Sequence, residues 1–415
     1  MTVGPGKPIF TRVPSDQFVL QSASLVALVS FSEDASVYLK TITFEDGETM
    51  VAMRKGGIVM GAKGKGDKGY MRLVCEYIYS QIVSTLTLKV QSIFRKSSKF
   101  DLRSMLTSTD AIIQGLIDKS ESTGCLIAGS VETVALEKEV RKELERVMVT
   151  AAEKVQNTVF GVVVSEGKLA TVVQPKEGGI RLSGSDLILL SNFSKVQKKT
   201  LMNCESWFPL CLPGFNANGF LYCYCYCLHE AAGMFLMLLS NVNTPAMFHG
   251  FQQARVAIGE ALGAGGRGAG PGGEAVKGVL ASMEDWERKV TERYSGHAGV
   301  LHFLYRGDFR VKGEGEGVVS QCLSPEGEED DGTTFKTNEI DFIGKSAGQG
   351  RVEYKIKGTE MYVGMTGFGG EIYAVMPSVV GIDEGIRRVG RLGRRIWEDR
   401  EVLFVVNPPV FGNNG

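Results

Sequence analysis

The 415-residue chain is poor in the residues and patterns that catalysis uses. It has four histidines, at His229, His249, His297 and His302, and it contains no Gly-x-Ser-x-Gly, His-Glu-x-x-His, Walker A or protein-kinase signature. Hydrolysis and general acid–base chemistry therefore have no recognisable residues in the sequence. We predict a binding protein with no covalent catalysis of its own, no catalytic residues and no cofactor.

The sequence also lacks a strong charge, a leader and a regular cysteine framework. The net charge is −1, so no overall field favours nucleic acid, which we do not expect as a partner. The segment MTVGPGKPIF lacks the basic and then apolar build of a signal peptide, so a cytoplasmic location is expected. Eight irregularly spaced cysteines, without a Cys-x-x-Cys pair, are typical of reduced thiols.

The stretch FLYCYCYCLHEAAGMFLMLL, residues 220–239, is compatible with a metal site, a membrane span or a strand. In a strand the three cysteines share one face, but neighbours on that face are ~7 Å apart, too far for a shared zinc ion. His229 and Glu230 lie in the middle, where a charge opposes membrane insertion. We therefore predict no metal site here and a hairpin of two buried strands, 219–228 and 233–240.

The order of predicted elements recurs three times along the chain, which indicates an α+β protein of three domains. The second domain contains helix SGSDLILLSNF, which Ser183 or Ser185 is placed to cap. The third has an acidic loop near 312–335. The Gly-rich linker before the third domain formally contains Gly-x-Gly-x-x-Gly. The motif follows a helix, whereas phosphate binding requires it between a strand and a helix, so we discount a nucleotide site. The predicted segments are 5–122 (first domain), 123–153 (helical connector), 154–262 (second domain), 263–273 (linker) and 274–415 (third domain).

The predicted helix 18–31, FVLQSASLVALVSF, contains no charged residue. We expect Leu25, Leu28 and Val29 to pack on the sheet of the first domain. A helix that is apolar all round is buried on all sides, so a second surface should cover its other face. Either another protein or this chain's own second or third domain meets that requirement. The predicted partner interface consists of Ala23, Ser24, Val26 and Ala27.

Two segments carry local positive charge. The segment Arg54–Arg72 has six basic residues against Asp67, and its Lys55, Lys63, Lys65 and Lys68 are candidates to face an anionic phosphoinositide membrane. A solvated loop is the alternative interpretation. Helix 383–400 is basic and amphipathic, and its apolar stripe is expected to cover the sheet of the third domain.

Stretches from all three predicted domains carry a resemblance to a known family. YIYSQIVSTLTLKVQSIFRKSSKFDLRSML (77–106) resembles the long helix of the Mon/SAND vacuolar fusion proteins, and VLHFLYR and LFVVNPPVF resemble that family's third domain. The string W-x-P-x-C-L-P-x-F-N-x-x-G-F resembles its second domain. The structural signature residues of that string are Trp207, Pro209, Pro213, Phe215, Asn216 and Phe220.

The resemblance implies three longin-like domains, each a mostly antiparallel five-stranded sheet with helices on its faces. It also implies a heterodimer with a Ccz-type three-longin partner, acting as guanine-nucleotide exchange factor for the late-endosomal Rab GTPase. Endosome maturation, vacuole fusion and autophagy are the implied processes, with peripheral recruitment to late-endosome and vacuole membranes. A longin-domain trafficking adaptor without exchange activity, like the Fuzzy and Hermansky–Pudlak relatives, is the alternative.

Overall fold

The fold is an α+β arrangement of three sheets and their covering helices, seen in a computed structural model. The structure describes residues 1–2, 8–12, 16–34, 38–92, 102–107, 109–176, 181–262, 273–294, 299–310, 318–324, 342–343 and 352–412.

The first domain packs helices against an antiparallel sheet with the order β1-β2-β3. Thr2 forms an antiparallel bridge with Ile58, so the amino-terminal segment lies beside β3. The sequence GKPIFTRV suggests a short strand, but its described residues, 8–12, are not a strand. The elements are α1 (Asp16–Asp34), β1 (Thr41–Thr43), β2 (Thr49–Lys55), β3 (Ile58–Gly64), α2 (Lys68–Leu86), α3 (Arg103–Leu106) and α4 (Asp110–Ser122).

Helix α2 begins and ends at identifiable caps. The side chain of Asp67 accepts a hydrogen bond from the Tyr70 N–H, which satisfies one free donor of the first turn. The helix ends at Leu86 because Thr87 adopts φ 61, and its N–H donates to the Val83 carbonyl. The apolar repeat of this segment continues to Phe94, but the helix is interrupted at Thr87. Residues 90–92 are helical again, and Phe94 lies outside the described residues.

The second sheet has six strands in the order β15-β6-β5-β9-β8-β7, in which β15 is Val410–Phe411, and it is covered on both faces. Leu187 and Ile188 of α6 lie in the core on one face, and Met148 of α5 and Phe251 of α9 in the core on the other. The elements are β4 (Val131–Glu132), α5 (Lys138–Glu153), β5 (Thr158–Ser165), β6 (Lys168–Pro175), α6 (Gly184–Val196), α7 (Lys198–Leu201), β7 (Ser206–Leu210), α8 (Pro213–Asn216), β8 (Leu221–His229), β9 (Met234–Ser240) and α9 (Pro245–Ala261).

The third sheet repeats the strand order of the second. Counting strands along the chain, both sheets run second, first, fifth, fourth, third, which is β11-β10-β14-β13-β12 here. As predicted, the carboxy-terminal helix covers this sheet, with Val389, Leu392 and Ile396 buried. The elements are α10 (Gly273–Tyr294), β10 (His302–Arg310), β11 (Val318–Leu323), β12 (Val352–Lys357), β13 (Glu360–Gly367), β14 (Gly370–Pro377), a 3-10 turn (Ser378–Val380), α11 (Ile382–Glu398), α12 (Arg400–Leu403) and β15 (Val410–Phe411).

The second and third sheets exchange short edge strands. Strand β4, which precedes the second sheet in the chain, pairs in parallel with β11 of the third sheet. Strand β15, which follows the third sheet, pairs in parallel with β6 of the second. Each sheet therefore consists of five strands of its own domain and one short strand from the segment that flanks the other domain in the chain. Main-chain hydrogen bonds of these short strands join the two domains.

Two of the predicted segments differ in the structure. The acidic loop near 312–335 is interrupted by β11, because Val318–Leu323 pairs with β10. The connector 123–153 also contributes more than a connection: its strand β4 extends the third sheet, and its helix α5 covers the second. The predicted linker 263–273 lies outside the described residues, apart from Gly273 at the start of α10.

Among the described residues, no helix combines the length and the apolar character needed to cross a membrane.

Candidate interaction surface

Helix α1 is held against the first sheet by one face only. Leu25, Val26 and Val29 are buried in a cluster with Ala52 of β2 and Val59 of β3. The helix approaches the sheet closely, because a Cβ atom at Gly61 would lie 2.6 Å from Leu25 Cδ2. An ion pair between Glu33 and Arg54 joins the last turn of the helix to β2.

The opposite face of α1 is an exposed apolar surface. Leu20 is 72% exposed, Leu28 49% and Phe31 74%, and the smaller side chains between them are exposed as well. These residues recur three and four positions apart, so they form one stripe along the helix. The outer stripe, as we name it, consists of Leu20, Ala23, Ser24, Ala27, Leu28 and Phe31.

The outer stripe contains most, but not all, of the predicted interface. Ala23, Ser24 and Ala27 are exposed, as the prediction requires. Val26 is buried against the sheet, 7% exposed, and Leu28 takes the outer position. The reason is the helical rotation of 100° per residue: Val26 lies on the same side as Ser22 and Val29, whereas Leu28 follows Ser24 by one turn. The prediction that Val26 lies in the partner interface is therefore wrong, and so is the prediction that Leu28 packs on the sheet.

Sequence reasoning missed the large members of the outer stripe. Leu20, Leu28 and Phe31 provide most of its apolar surface, because leucine and phenylalanine side chains have far more apolar area than alanine. Their spacing of eight and then three residues was visible in the sequence. An exposed, contiguous apolar surface of this kind is typical of a protein–protein contact.

The four predicted membrane-facing lysines do not form one patch. Lys55 lies at the turn end of the β2–β3 hairpin, where it pairs with Ile58, and its ammonium group lies 5.1 Å from the centre of the Tyr79 ring. Lys63 lies at the other end, five residues and ~17 Å along β3, and forms an ion pair with Glu48. Lys65 and Lys68 are exposed at this second end.

The signature string Trp207–Phe220 packs between the first two domains. Trp207 stacks on Tyr222 with 6.0 Å between ring centroids, and its Nε1–H donates to Asn243 Oδ1 at 3.0 Å. Phe215 meets the ring of Phe160 edge-on at 5.2 Å. The rings of Trp207 and Phe215 therefore pack against aromatic residues of the second sheet.

The middle of the string is fixed by hydrogen bonds to its neighbours. Gly214 N–H donates to Asp186 Oδ1 at 2.9 Å, and Asp186 also receives a hydrogen bond from the Ser183 hydroxyl, at Oδ2. Ser183 is the cap of α6, which confirms one of the two predicted capping residues. Cys211 lies in the core of the first domain, and its N–H donates to the Ser84 carbonyl of α2 at 2.8 Å.

Pro209 and Pro213 occupy places where a proline is tolerated. Pro209 lies in β7, the edge strand of the second sheet, and Pro213 is in the first turn of α8. Asn216 Oδ1 accepts a hydrogen bond from the Asn218 N–H at 3.0 Å, and Phe220 is 38% exposed. Five of the six signature residues therefore have structural roles in β7 and α8, whereas Phe220 is an exposed apolar residue.

Comparison with known proteins agrees with this arrangement. Residues 1–116 match the family model described as the first longin domain of FUZ, MON1 and HPS1, and residues 156–258 match the second longin domain of the same three proteins. The chain is 31% identical to vacuolar fusion protein MON1 of Yarrowia lipolytica over 237 residues, which are 55% of this chain and 42% of that protein.

Two further relatives extend the match. The chain is 30% identical to Protein SAND of Takifugu rubripes over 240 residues, 57% of this chain and 45% of that protein. It is 29% identical to vacuolar fusion protein MON1 homolog B of Homo sapiens over 312 residues, 72% of this chain and 54% of that protein. The chain belongs to the Mon/SAND family. It spans about half the length of the curated relatives it matches.

The cysteine-rich strand is the fourth strand of the second longin domain. Cys223 and Cys225 are buried in the core on the α6 face, and Tyr224 in the core on the α9 face, which confirms the predicted hairpin and its alternation. Burial raises the pKa of the Cys225 thiol to about 12 and that of Cys227 to about 11. Thiols that stay protonated are poor metal ligands and poor nucleophiles.

No cluster of metal-binding side chains occurs among the residues that the structure describes. The cysteines of this Mon/SAND chain are not all reduced thiols, however, because Cys125 and Cys322 form a disulfide. The other six cysteines are free. The prediction of reduced thiols is therefore wrong for this pair. The two cysteines are 197 residues apart, and no pattern in the sequence indicates that they form a disulfide.

Proposed function

We propose that this chain is one subunit of a heterodimeric guanine-nucleotide exchange factor that activates a late-endosomal or vacuolar Rab GTPase. Its membership of the Mon/SAND family supports a role in vacuolar trafficking, since two of its relatives are named vacuolar fusion protein MON1. Endosome maturation, vacuole fusion and autophagy are the processes in which this activity would act. The third domain enters the proposal as a third longin domain, because it repeats the strand order of the second.

The outer stripe of α1 is the observation that carries this proposal. It lies in the first longin domain, it is apolar, and no charged residue occurs between Leu20 and Phe31. The small side chains of Ala23, Ser24 and Ala27 allow the backbone of another helix to come close, while the larger residues flank that contact. The proposed occupant is a Ccz-type partner with three longin domains.

Exchange of this kind requires binding and no covalent step. A factor that binds the nucleotide-poor conformation of the GTPase more tightly than the nucleotide-bound one shifts the population toward release. The extent of the shift is set by the difference between the two affinities alone. A chain whose sequence shows no catalytic signature is compatible with this mechanism.

Peripheral recruitment to anionic membranes belongs to the same proposal. Lys65 and Lys68, exposed at one end of the β2–β3 hairpin, are the proposed contacts, since Lys55 lies at the other end and Lys63 is paired. We expect the complex to float with phosphoinositide vesicles and the Lys65→Glu/Lys68→Glu variant to lose most of this binding at low salt. Equal flotation of both proteins would remove these lysines from the proposal.

A nucleotide-release assay tests the exchange activity. The late-endosomal Rab is loaded with a fluorescent GDP analogue and mixed with this chain, with the partner, or with the co-expressed pair. We expect accelerated release with the pair only. In Ala27→Glu a charge enters the centre of the outer stripe without a partner, so we expect a roughly 100-fold loss of partner affinity and of acceleration.

Ala111→Glu is the matched control, because Ala111 is an exposed alanine in helix α4 of the same domain. It should leave partner co-purification and nucleotide release unchanged, and circular dichroism should show both variants folded. Unchanged co-purification of Ala27→Glu would refute the interface.

A trafficking adaptor without exchange activity is the second candidate function. Both matching family models describe domains that MON1 shares with FUZ and HPS1, so the domain type alone does not separate the two functions. Release that is not accelerated in any combination, with the partner still bound through the outer stripe, would favour the adaptor.

A further inference from the structure

The third sheet ends at strand β12, which carries a row of exposed apolar side chains. Among the described residues β12 pairs with β13 and with no other strand. Its Val352, Tyr354 and Ile356 are 43%, 54% and 49% exposed. Alternate residues of a strand share one face, so these three side chains form a continuous apolar row at the edge of the sheet.

This apolar row extends the core face of the sheet past its covering helix. Tyr354 lies opposite Val363 in β13, and Ile356 lies opposite Met361. Both partners belong to the core cluster under α11. The helix therefore covers β13 but leaves the corresponding residues of β12 exposed. A long edge strand with exposed apolar residues is a template for pairing with another strand.

The sequence of β12, Val-Glu-Tyr-Lys-Ile-Lys, is complementary to itself in the antiparallel direction. When Tyr354 is placed opposite Tyr354 of a second copy, each Glu353 lies opposite a Lys355 and each Val352 opposite an Ile356. All three kinds of cross-strand pair are favourable. Each opposite-charge pair and each aliphatic pair occurs twice, once on either side of the symmetry axis.

Neighbouring registers are less favourable. A shift of one residue places Tyr354 opposite Lys355 and moves the apolar row to the wrong face. Centring the pairing on Lys355 keeps two Glu353–Lys357 pairs but sets two lysines against each other, and centring it on Glu353 sets two glutamates against each other. Like charges directly opposite one another destabilise a strand pair. Of the three registers centred on Glu353, Tyr354 and Lys355, only the one centred on Tyr354 sets no like charges opposite each other within Val352–Lys357.

We propose that β12 pairs with β12 of a second copy of this chain, in an antiparallel register centred on Tyr354. The contact is isologous, as a two-fold dimer requires, and it joins the two third sheets edge to edge. Lys355 also has an interaction within its own chain. The three N–H donors of its ammonium group allow the contact with Glu353 of the second copy in addition. This contact is independent of the outer stripe of α1.

Site-specific oxidation tests the register in the full chain, alone and with the co-expressed partner. Cys204, the exposed free cysteine, is first replaced by serine to lower the background. In Tyr354→Cys the two introduced thiols lie on residues whose Cα atoms are ~5 Å apart, within disulfide range. In the control Lys357→Cys they lie six residues apart along the strands, ~20 Å. We expect at least tenfold more covalent dimer of the chain with Tyr354→Cys.

Sedimentation velocity provides the second measurement. The unmodified chain should form a concentration-dependent dimer, and Tyr354→Lys, which sets two lysines against each other, should be monomeric at the same concentrations. Leu301→Lys is the control, because Leu301 is a similarly exposed apolar residue, 52%, that precedes β10. Its dimerisation should match that of the unmodified chain.

Four results would overturn the proposal. They are equal cross-linking at positions 354 and 357, no cross-linking at position 354, a dimer that survives Tyr354→Lys, and cross-linking of Tyr354→Cys to another protein in place of a second copy. Circular dichroism of each variant separates loss of the contact from loss of the fold.

Discussion

At the scale of single residues, Arg141 of α5 connects three segments at the junction of the second and third domains. Its guanidinium is buried, 3% exposed, and donates to the carbonyl oxygens of Ala170 at 2.6 Å, Val134 at 2.6 Å and Val402 at 2.8 Å. These acceptors belong to β6, to the segment after β4 and to α12. Burial lowers the pKa of Arg141 to about 10, so it stays charged at neutral pH.

We predict that Arg141→Ala lowers the free energy of unfolding by about 3–5 kcal/mol, because it removes three charge-assisted hydrogen bonds and leaves buried carbonyl groups unpaired. Urea denaturation measures the loss. Arg146→Ala on the exposed face of the same helix removes an ion pair with Glu143 and should cause no measurable change. Equal effects of the two substitutions would mean that Arg141 does not hold the junction.

The sequence does not distinguish these two arginines. Both lie in the charge-rich segment EKEVRKELERVMVTAAEK, five residues apart, and only the tertiary structure turns one inward. The apolar positions of α5 did carry a signal, since Leu144, Met148 and Ala151 recur every three or four residues and all are buried. One arginine on the buried face does not break this apolar repeat, so the repeat does not reveal that Arg141 is buried.

At the scale of elements, the sequence predicted best where side chains alternate or repeat strongly. The β8–β9 hairpin was predicted within two residues, and its alternation of cysteine and tyrosine identified both faces of the sheet. Periodicity failed where one backbone conformation overrides it. The apolar repeat of α2 continues past Thr87, but φ 61 at that residue ends the helix.

Helix α1 shows the same limit for the candidate site. Its lack of charge predicted a second covered face, and the structure places an exposed apolar face there. The assignment of Val26 and Leu28 to the two faces was reversed, because a helix that is apolar all round has no polar residues to define its rotation. The orientation comes from the fit of Leu25 over Gly61, which is a tertiary contact.

At the scale of the whole molecule, the second and third domains are connected by features too short or too distant to be visible in the sequence. Strands β4 and β15 are two residues long each, below the length at which alternation is detectable. The side chain of Gln321 in β11 adds a pair of hydrogen bonds to the main chain of Val405, at 2.8 and 2.9 Å. The predicted second and third domains are therefore not independent units.

The disulfide between Cys125 and Cys322 is the covalent part of this connection. It joins the loop after α4 to β11, beside the pairing of β4 with β11, and both cysteines are buried. Their Cα atoms are 5.9 Å apart, which is the common separation for a disulfide. Closing a loop between residues 197 positions apart restricts the unfolded chain and stabilises the fold by up to about 5 kcal/mol.

We predict that peptide mapping without reductant recovers one cross-linked species containing Cys125 and Cys322, and that reductant lowers the midpoint of thermal unfolding. In Cys322→Ser the midpoint should already be lowered and should no longer respond to reductant, because the bond that reductant breaks is absent. Cys204→Ser, which removes an exposed free thiol, should keep the full response. If both cysteines are instead recovered alkylated after denaturation without reductant, the junction is held by its hydrogen bonds and packing alone, and Arg141 becomes its principal support.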